Sequence, residues 1–462
     1  MLLVLFTALI QAAAPVAASA VDPARLPVLV DSLAARELRA GPTAGVSVAV
    51  MQGGVVLFAR GYGQADLENP AAINVETIFK VGSVTKQVTT VLLGQLVDQG
   101  KVDLDADIRT YLPDAPTSGR SVTVAQLLDH TSGIRSFTNL GQAVSRDSFR
   151  LDLTTDRLIG LLRNVPPDFE PGTSWQYNNT GYLLAGMLVE RITGSSLAEV
   201  LARGITEPLG LTRTSWCDEH AVVPNRAKGY RRAAAGFERA VGESMSIPRG
   251  AGALCSTPID LVRFRDALAK GRLLSTATYQ RMITPARLAD GWKTNYGYGV
   301  ALYHIGPYRV IRHGGTITGF QANLLYVPER DLVVSVLANT MGSDPVGLSD
   351  GIVAGILGVD LPPAGEQVLP ADRRSSLVGR YRLAGTVFEV KEEEGRLVIG
   401  RGGAGWSRLA WQGDDRYLAL GGQAFGFYGL SPLLRFTGGA GRPSVIELEH
   451  PVDGPMRGQR VE

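Results

Sequence analysis

A proline-rich stretch, LPPAGEQVLPAD from Leu361 to Asp372, separates two textures of sequence and makes the chain at least two units. Before it, strand and helix signals occur in blocks. AGVSVAVMQGGVVLFARGYG, from Ala44, reads as two β-branched strands joined at Gln52-Gly53-Gly54. Between Val122 and Leu211 apolar residues recur at three- and four-residue spacing, the helical period, in VAQLLDH, TDRLIGLLRNV, GYLLAGMLVERITG and SLAEVLARGITEPLG. Strands return in YRVIRHGG and QANLLYVPERDLVVSVLAN, read as a short antiparallel meander, and IVAGILGV closes the unit as a helix. After the proline-rich stretch the chain is short strands split by glycine turns: GRYRLAGTVFEVKEEEGRLVIG, RYLALGG, AFGFYG, LLRFTGG and SVIELEH. The expected boundaries are a leader at 1–20, a large domain at 21–360, a linker at 361–372 and a small β-barrel-like domain at 373–462.

The leader assignment rests on MLLVLFTALIQAAAPVAASA, an apolar run ending in Ala18-Ser19-Ala20, the small-x-small pattern a signal peptidase accepts. It lacks the usual Lys or Arg near its start. The run is too short to span a bilayer, so the mature chain is expected to have no transmembrane segment and to be periplasmic or secreted. With a formal net charge of +2 and no Lys/Arg run, nucleic acid is not an expected partner. The two cysteines, Cys217 and Cys255, exclude a disulfide scaffold and a cysteine-rich zinc site. Whether they pair or remain two buried thiols stays open at this level. No metal or organic cofactor is implied, and oligomeric state has no sequence signal.

Three short motifs carry chemistry. In IFKVGSVTKQVTT, Ser83 precedes a helical run that stops at Gly100, and Lys86 follows one turn later on the same face. A serine hydroxyl needs a base, and a lysine serves as one only when desolvated or crowded by cations; the same serine is also a good helix N-cap. In GTSWQYNNTGY, Tyr177 and Asn179 stand two apart. A tyrosine beside an ammonium has its pKa lowered and becomes a general base, while asparagine orients a lysine or a carbonyl; a packed ring and a turn residue are the plain alternative. In RHGGT, Gly315 after His313 lets a substrate lie against a strand, and the Thr316 N–H can join that of Ser83 as an oxyanion hole.

The order Ser83-x-x-Lys86, Tyr177-x-Asn179, His313-x-Gly315 resembles the penicillin-recognising serine hydrolases, the broad family of class C β-lactamases, D-Ala-D-Ala carboxypeptidases, D-amino-acid amidases and related esterases. LLDHTSGI, FEPGTSWQYNNTGYLLAG, GALCSTPIDLVRF, NYGYGV and HGGTITGF agree with it, over roughly residues 25–360. The resemblance implies an α+β fold: an antiparallel sheet with helices on both faces plus an inserted helical region, followed here by a small all-β domain similar to the lipocalin-like domain often appended to this family. It makes Ser83 the nucleophile, Lys86 its base, Tyr177 a proton carrier, and Asn179, His313 and Gly315 orienting or substrate-binding groups. His130, in LLDHTSGI, becomes structural rather than part of a Ser-His-Asp triad.

His313 stands where β-lactamases and carboxypeptidases more often carry a lysine, which favours an esterase, amidase or D-peptidase over a true β-lactamase. Lys293-Thr294-Asn295 does not replace that lysine motif, because its third residue is not glycine. The expected function is an exported serine hydrolase forming an acyl-enzyme on Ser83 with an ester, amide or D-amino-acid peptide. A true β-lactamase, or a non-catalytic binder of peptidoglycan fragments, is the alternative.

Overall fold

The computed structural model describes residues 24–40, 43–140, 150–361, 369–401, 405–413, 415–420, 423–425, 428, 431–438 and 441–461. The leader at 1–20 and most of the linker at 361–372 lie outside the described residues; the linker's end falls inside a helix, Ala371–Leu377, that already packs on the second domain.

Gly45–Gln52 and Val55–Asp66 form the expected hairpin, turned at Gly53 and Gly54, both at positive φ. The hairpin cannot bury its two apolar faces alone. Gly45–Gln52 therefore pairs antiparallel with Leu332–Ala338, Val46 opposite Ala338, across almost the whole length of the domain. The resulting seven-stranded antiparallel sheet runs Ala71–Ala72, Val55–Asp66, Gly45–Gln52, Leu332–Ala338, Phe320–Val327, Tyr308–Ile317, Ala301–Ile305. Alternation sends Val46, Val48 and Val50 to one face, against helices Arg25–Ala40 and Pro345–Leu357. Ala49 and Met51 go to the other, against Thr85–Asp98 and Pro258–Ala269. Because both faces are covered, LVVSVLA in Leu332–Ala338 is buried at every position and reads as a continuous apolar run.

Residues 79–256 leave and re-enter this sheet through a small one. Phe79–Lys80, Leu254–Ser256 and Ser215–Trp216 pair side by side, which anchors IFK immediately before Ser83. Cys255 lies opposite both Lys80 and Ser215, and it is disulfide-bonded to Cys217 with Cα atoms 5.1 Å apart, deciding the question the sequence left open.

The C-terminal domain is a closed barrel of eight strands in sequence order, with Gly379–Leu383 pairing Gly454–Arg460 to remove the edges. Two of its strands, Trp406–Gly413 and Gly454–Arg460, were not among the strands expected from sequence. AFGFYG, expected as a strand, instead contributes a short 3-10 turn at Gln423–Phe425. The barrel core is not self-contained. Trp292 from the large domain packs on Phe388 and His450, with ring centroids 5.2 and 5.3 Å away, and its Nε1–H donates to the Phe425 carbonyl at 2.8 Å. Lys293 pairs with Asp453, and Asp290 with Arg401. The tempting Lys-Thr-Asn segment is thus part of the docking seam.

Removing the fully buried Trp292 leaves a large cavity between two domains. Trp292→Ala is expected to cost about 3–5 kcal/mol in urea unfolding; a loss under about 1 kcal/mol, the surface-substitution range, would mean the barrel does not depend on this ring.

Candidate active site

Ser83 lies in a 3-10 turn, Gly82–Val84, that leads into helix Thr85–Asp98. Its side chain makes no cap bond; Thr85 Oγ1 does the local work by donating to the Gly82 carbonyl at 2.6 Å. The N-cap alternative therefore falls, and the Ser83 hydroxyl is left for other partners.

Lys86 is fully buried, one turn along. Its Nζ lies 3.1 Å from Ser83 Oγ, 2.8 Å from Asn179 Oδ1 and 2.8 Å from the Ala251 carbonyl. Desolvation holds its pKa well below that of a free lysine. As a neutral amine it has two N–H donors and one lone pair. Asn179 Oδ1 and the Ala251 carbonyl accept only, so they take the two N–H groups and leave the lone pair for the Ser83 O–H. An ammonium could donate to all three neighbours, so it is burial that favours the neutral amine, the form a base needs.

Tyr177 and Asn179 are brought to this point by the start of helix Asn179–Thr193, capped by Asn178, whose Oδ1 accepts from Gly181 N–H at 2.9 Å. Lys86 Nζ is 4.8 Å from the centre of the Tyr177 ring. The expected lowering of the Tyr177 pKa is corrected here. Burial, first, and the Tyr428 ring beside it push the phenol well above its ordinary range, against a smaller opposing effect of the Ser83 hydroxyl. Tyr177 rests as a neutral phenol, a proton donor. Its hydroxyl finds no hydrogen-bond partner of ordinary geometry among the described residues.

His130 fixes that ring. It is buried at φ 67°, its Nδ1 accepts from Asn178 N–H at 3.2 Å, and its ring lies 4.6 Å from Tyr177 and 4.5 Å from Tyr296. This is the structural role expected of it.

His313 sits in strand Tyr308–Ile317, fully buried. Its Nδ1 is 2.5 Å from the Gly314 carbonyl, which can only accept, so the proton is on Nδ1 and Nε2 accepts from the Tyr296 O–H at 2.7 Å. Burial, then the nearby Lys86, lowers its pKa to about 3. Both nitrogens are committed within the fold; His313 enters the site as a neutral ring face, and its polar atoms do not reach out to orient a substrate.

Gly315 also works differently from expectation. Its neighbour on one side, Ala301–Ile305, pairs only as far as Arg312, leaving the end of the strand with a free edge. The Ser83 turn fills it: a Cβ on Gly315 would stand 2.0 Å from the Val81 carbonyl and 3.3 Å from Ser83 N, and one on Gly82 (φ 51°) would stand 2.9 Å from Thr316 N. The glycines admit the chain's own Ser83 turn rather than a substrate, and they bring the Ser83 and Thr316 backbones together. Thr316 is exposed at this edge.

Ala251, Tyr296 and Tyr428 complete the site without having been assigned a role from sequence. A backbone carbonyl such as that of Ala251 has no residue-type signature. Tyr296 lies in NYGYGV, a stretch flagged without a function, and Tyr428 in AFGFYG, read as a strand. Among the described residues no group of three or more His, Cys, Asp or Glu side chains could hold a metal ion, and no helix is long and apolar enough to cross a membrane.

Residues 30–356 match the Beta-lactamase family, and the chain belongs to that family. It is 30% identical over 363 residues to a D-aminopeptidase of Gluconobacter oxydans, covering 78% of this chain and 66% of the relative. A putative penicillin-binding protein of Bacillus subtilis is 26% identical over 298 residues, 64% of this chain and 71% of that one. The chain thus spans slightly under two thirds of the length of the Gluconobacter relative. Among solved structures, a D-amino acid amidase from Ochrobactrum anthropi in complex with D-phenylalanine superposes with TM-score 0.63 at 26% identity, covering 72% of this chain and 99% of that one. An octameric penicillin-binding protein homologue from Pyrococcus abyssi gives TM-score 0.65 at 24% identity over 94% of this chain and all of that one, a likeness of fold.

Two outcomes follow from the geometry. Gly315→Ala forces a methyl into the Val81 carbonyl, and labelling of Ser83 by a fluorophosphonate is expected to slow about 10²-fold, the scale for a misplaced reacting group; unchanged labelling would remove the interlock. The folded chain keeps His313 neutral from its ordinary 6.5 down to about 3, while the unfolded chain protonates. Stability contributed there is complete above pH 6.5 and lost as pH falls to about 3. His313→Gln should therefore show a shallower fall of unfolding free energy across that window, and an equal slope would refute it.

Proposed function

We propose that the chain is a serine hydrolase that forms an acyl-enzyme on Ser83, with amides or short peptides of D-amino acids as its preferred substrates. The observation that carries the catalytic reading is the buried Lys86 amine, whose two N–H groups are taken by carbonyl acceptors while Ser83 Oγ lies 3.1 Å away. The substrate class rests on similarity to the D-aminopeptidase and the D-amino acid amidase.

The Ser83 O–H proton passes to Lys86 Nζ as Oγ attacks the carbonyl carbon. The N–H groups of Ser83 and Thr316 receive the oxyanion. On collapse the C–N bond breaks and the Tyr177 phenol protonates the departing amine; the Lys86 ammonium then returns a proton to Tyr177. Water attacks the ester by the same route in reverse. Asn179 and the Ala251 carbonyl keep the lysine aimed throughout.

The neutral His313, with both nitrogens bonded internally, offers no fixed cation for a β-lactam carboxylate. This supports amide or ester turnover over β-lactam turnover. A non-catalytic binder would have no use for a desolvated lysine at the serine. The Cys217–Cys255 bond suits an oxidising compartment, in keeping with a periplasmic or secreted protein.

A panel of D- and L-amino-acid amides and p-nitroanilides, p-nitrophenyl esters and a chromogenic cephalosporin tests the reading. D-amides are expected to lead, Ser83→Ala to abolish turnover, and Tyr177→Phe to cut amide kcat/KM on the order of 10²-fold or more. Efficient cephalosporin hydrolysis would overturn the substrate assignment, and near wild-type Tyr177→Phe would remove that residue from the mechanism.

A further inference from the structure

The Tyr177 ring is lined by residues of the large domain on most sides: Lys86 from helix Thr85–Asp98, His130 from the turn after helix Val124–Leu128, and His313 from the sheet. One neighbour comes from elsewhere. Tyr428, in the barrel, lies stacked on Tyr177 with centroids 4.9 Å apart and planes within 16°, and its ring is 4.8 Å from His313 and 5.5 Å from Tyr296.

Its position is fixed by a two-point clamp. Tyr428 N–H donates to Asn295 Oδ1 at 2.7 Å, and Asn295 Nδ2 donates to the Tyr428 carbonyl at 3.3 Å. Asn295 is fully buried and stands two residues after the seam residue Lys293; the next residue, Tyr296, bonds His313. A single hexapeptide, Asp290 to Asn295, therefore holds the barrel, and through Asn295 it holds an aromatic ring over the acid–base group of the other domain.

We propose that Tyr428 is a positioning residue of the active site, supplied by the C-terminal barrel, which fixes the Tyr177 ring and shields its phenol from water so that Tyr177 can deliver a proton to the leaving group. This rests on the acid–base role given to Tyr177 above. The charged and titratable groups facing Tyr177 are Lys86, His130, His313, Tyr182, Tyr296 and Tyr428. Both histidines are held neutral by burial, and the neighbouring tyrosines are phenols whose pKa burial raises. Removing Tyr428 therefore changes the hydration of Tyr177 without altering a charge beside it.

The test compares kcat/KM for an amide and for a p-nitrophenyl ester of the same acyl group, across pH, in the full-length protein. An amine leaves only when protonated, whereas p-nitrophenolate leaves without help, so loss of proton delivery separates the two. Tyr428→Ala is expected to lower amide turnover on the order of tenfold, a part of the roughly 10²-fold or more expected for losing the general acid itself, with the ester and fluorophosphonate labelling of Ser83 within about threefold of wild type, well short of that range. Its alkaline limb should move to lower pH as water reaches the Tyr177 phenol and eases its ionisation. Tyr428→Phe, which keeps the stacked ring, should restore most of the amide rate, and Asn295→Ala should reproduce the amide-selective loss. Equal losses on amide and ester, or an unchanged pH profile in Tyr428→Ala, would overturn the inference, as would a change confined to KM that tracks acyl size, which would make the ring a mere wall. Tyr177→Phe run alongside separates the two levels: if it shows no amide–ester split, the mechanism itself fails, and if it does while Tyr428→Ala does not, only the role of Tyr428 fails.

Discussion

The burial of a single lysine governs how the rest of the large domain is built. An ammonium is costly to desolvate, and among the described residues Lys86 has no carboxylate partner: its hydrogen-bond partners there are a hydroxyl, an amide oxygen and a backbone carbonyl. That set is satisfied by a neutral amine pointing its lone pair at Ser83. Each neighbour belongs to a different segment, and each segment is held in turn. The Ser83 turn interlocks with Gly315, Asn179 opens a helix capped by Asn178, and Ala251 precedes the strand Leu254–Ser256 that also pairs with Phe79–Lys80. The sheet's long-range pairing of Gly45–Gln52 with Leu332–Ala338 brings these pieces within reach of one another.

The same low-dielectric surroundings set the other titratable groups. Tyr177 is held as a phenol and His313 as a neutral imidazole, so the resting site carries no fixed charge from either. Proton movement then runs between a hydroxyl, an amine and a phenol; the amine and the phenol ordinarily titrate close together, and burial drives them apart, the lysine down and the tyrosine up, so that both rest neutral. The proposed division, base on Lys86 and acid on Tyr177, differs from the phenolate base that a nearby ammonium alone would favour, because desolvation outweighs the attraction.

The barrel is joined to the large domain through a shared apolar cluster around Trp292 and through the ion pairs of Asp290 and Lys293. Residues at this seam do double duty. Asn295 and Tyr296 are consecutive, one clamping the barrel's Tyr428 and the other bonding His313, so domain docking and active-site geometry are coupled over a few ångströms.

Much of this was legible in the residues themselves. β-Branched alternation marks the strands, three- and four-residue spacing marks the helices, and Ser83, Lys86, Tyr177 and Asn179 stand in motifs whose local geometry is short-range, one turn of helix or two residues of loop. These depend on backbone period and side-chain type, which a sequence carries directly. The tertiary structure alone decided the rest. Whether Cys217 meets Cys255, that Gly315 admits the Ser83 turn, that the Ala251 carbonyl accepts a hydrogen bond from the lysine, that both nitrogens of His313 are spent inside the fold, and that Tyr428 crosses from one domain to the other all depend on contacts between segments far apart in the chain. Such contacts are set by how whole apolar faces pack, and burial, which fixes every protonation state in the site, exists only once they have done so.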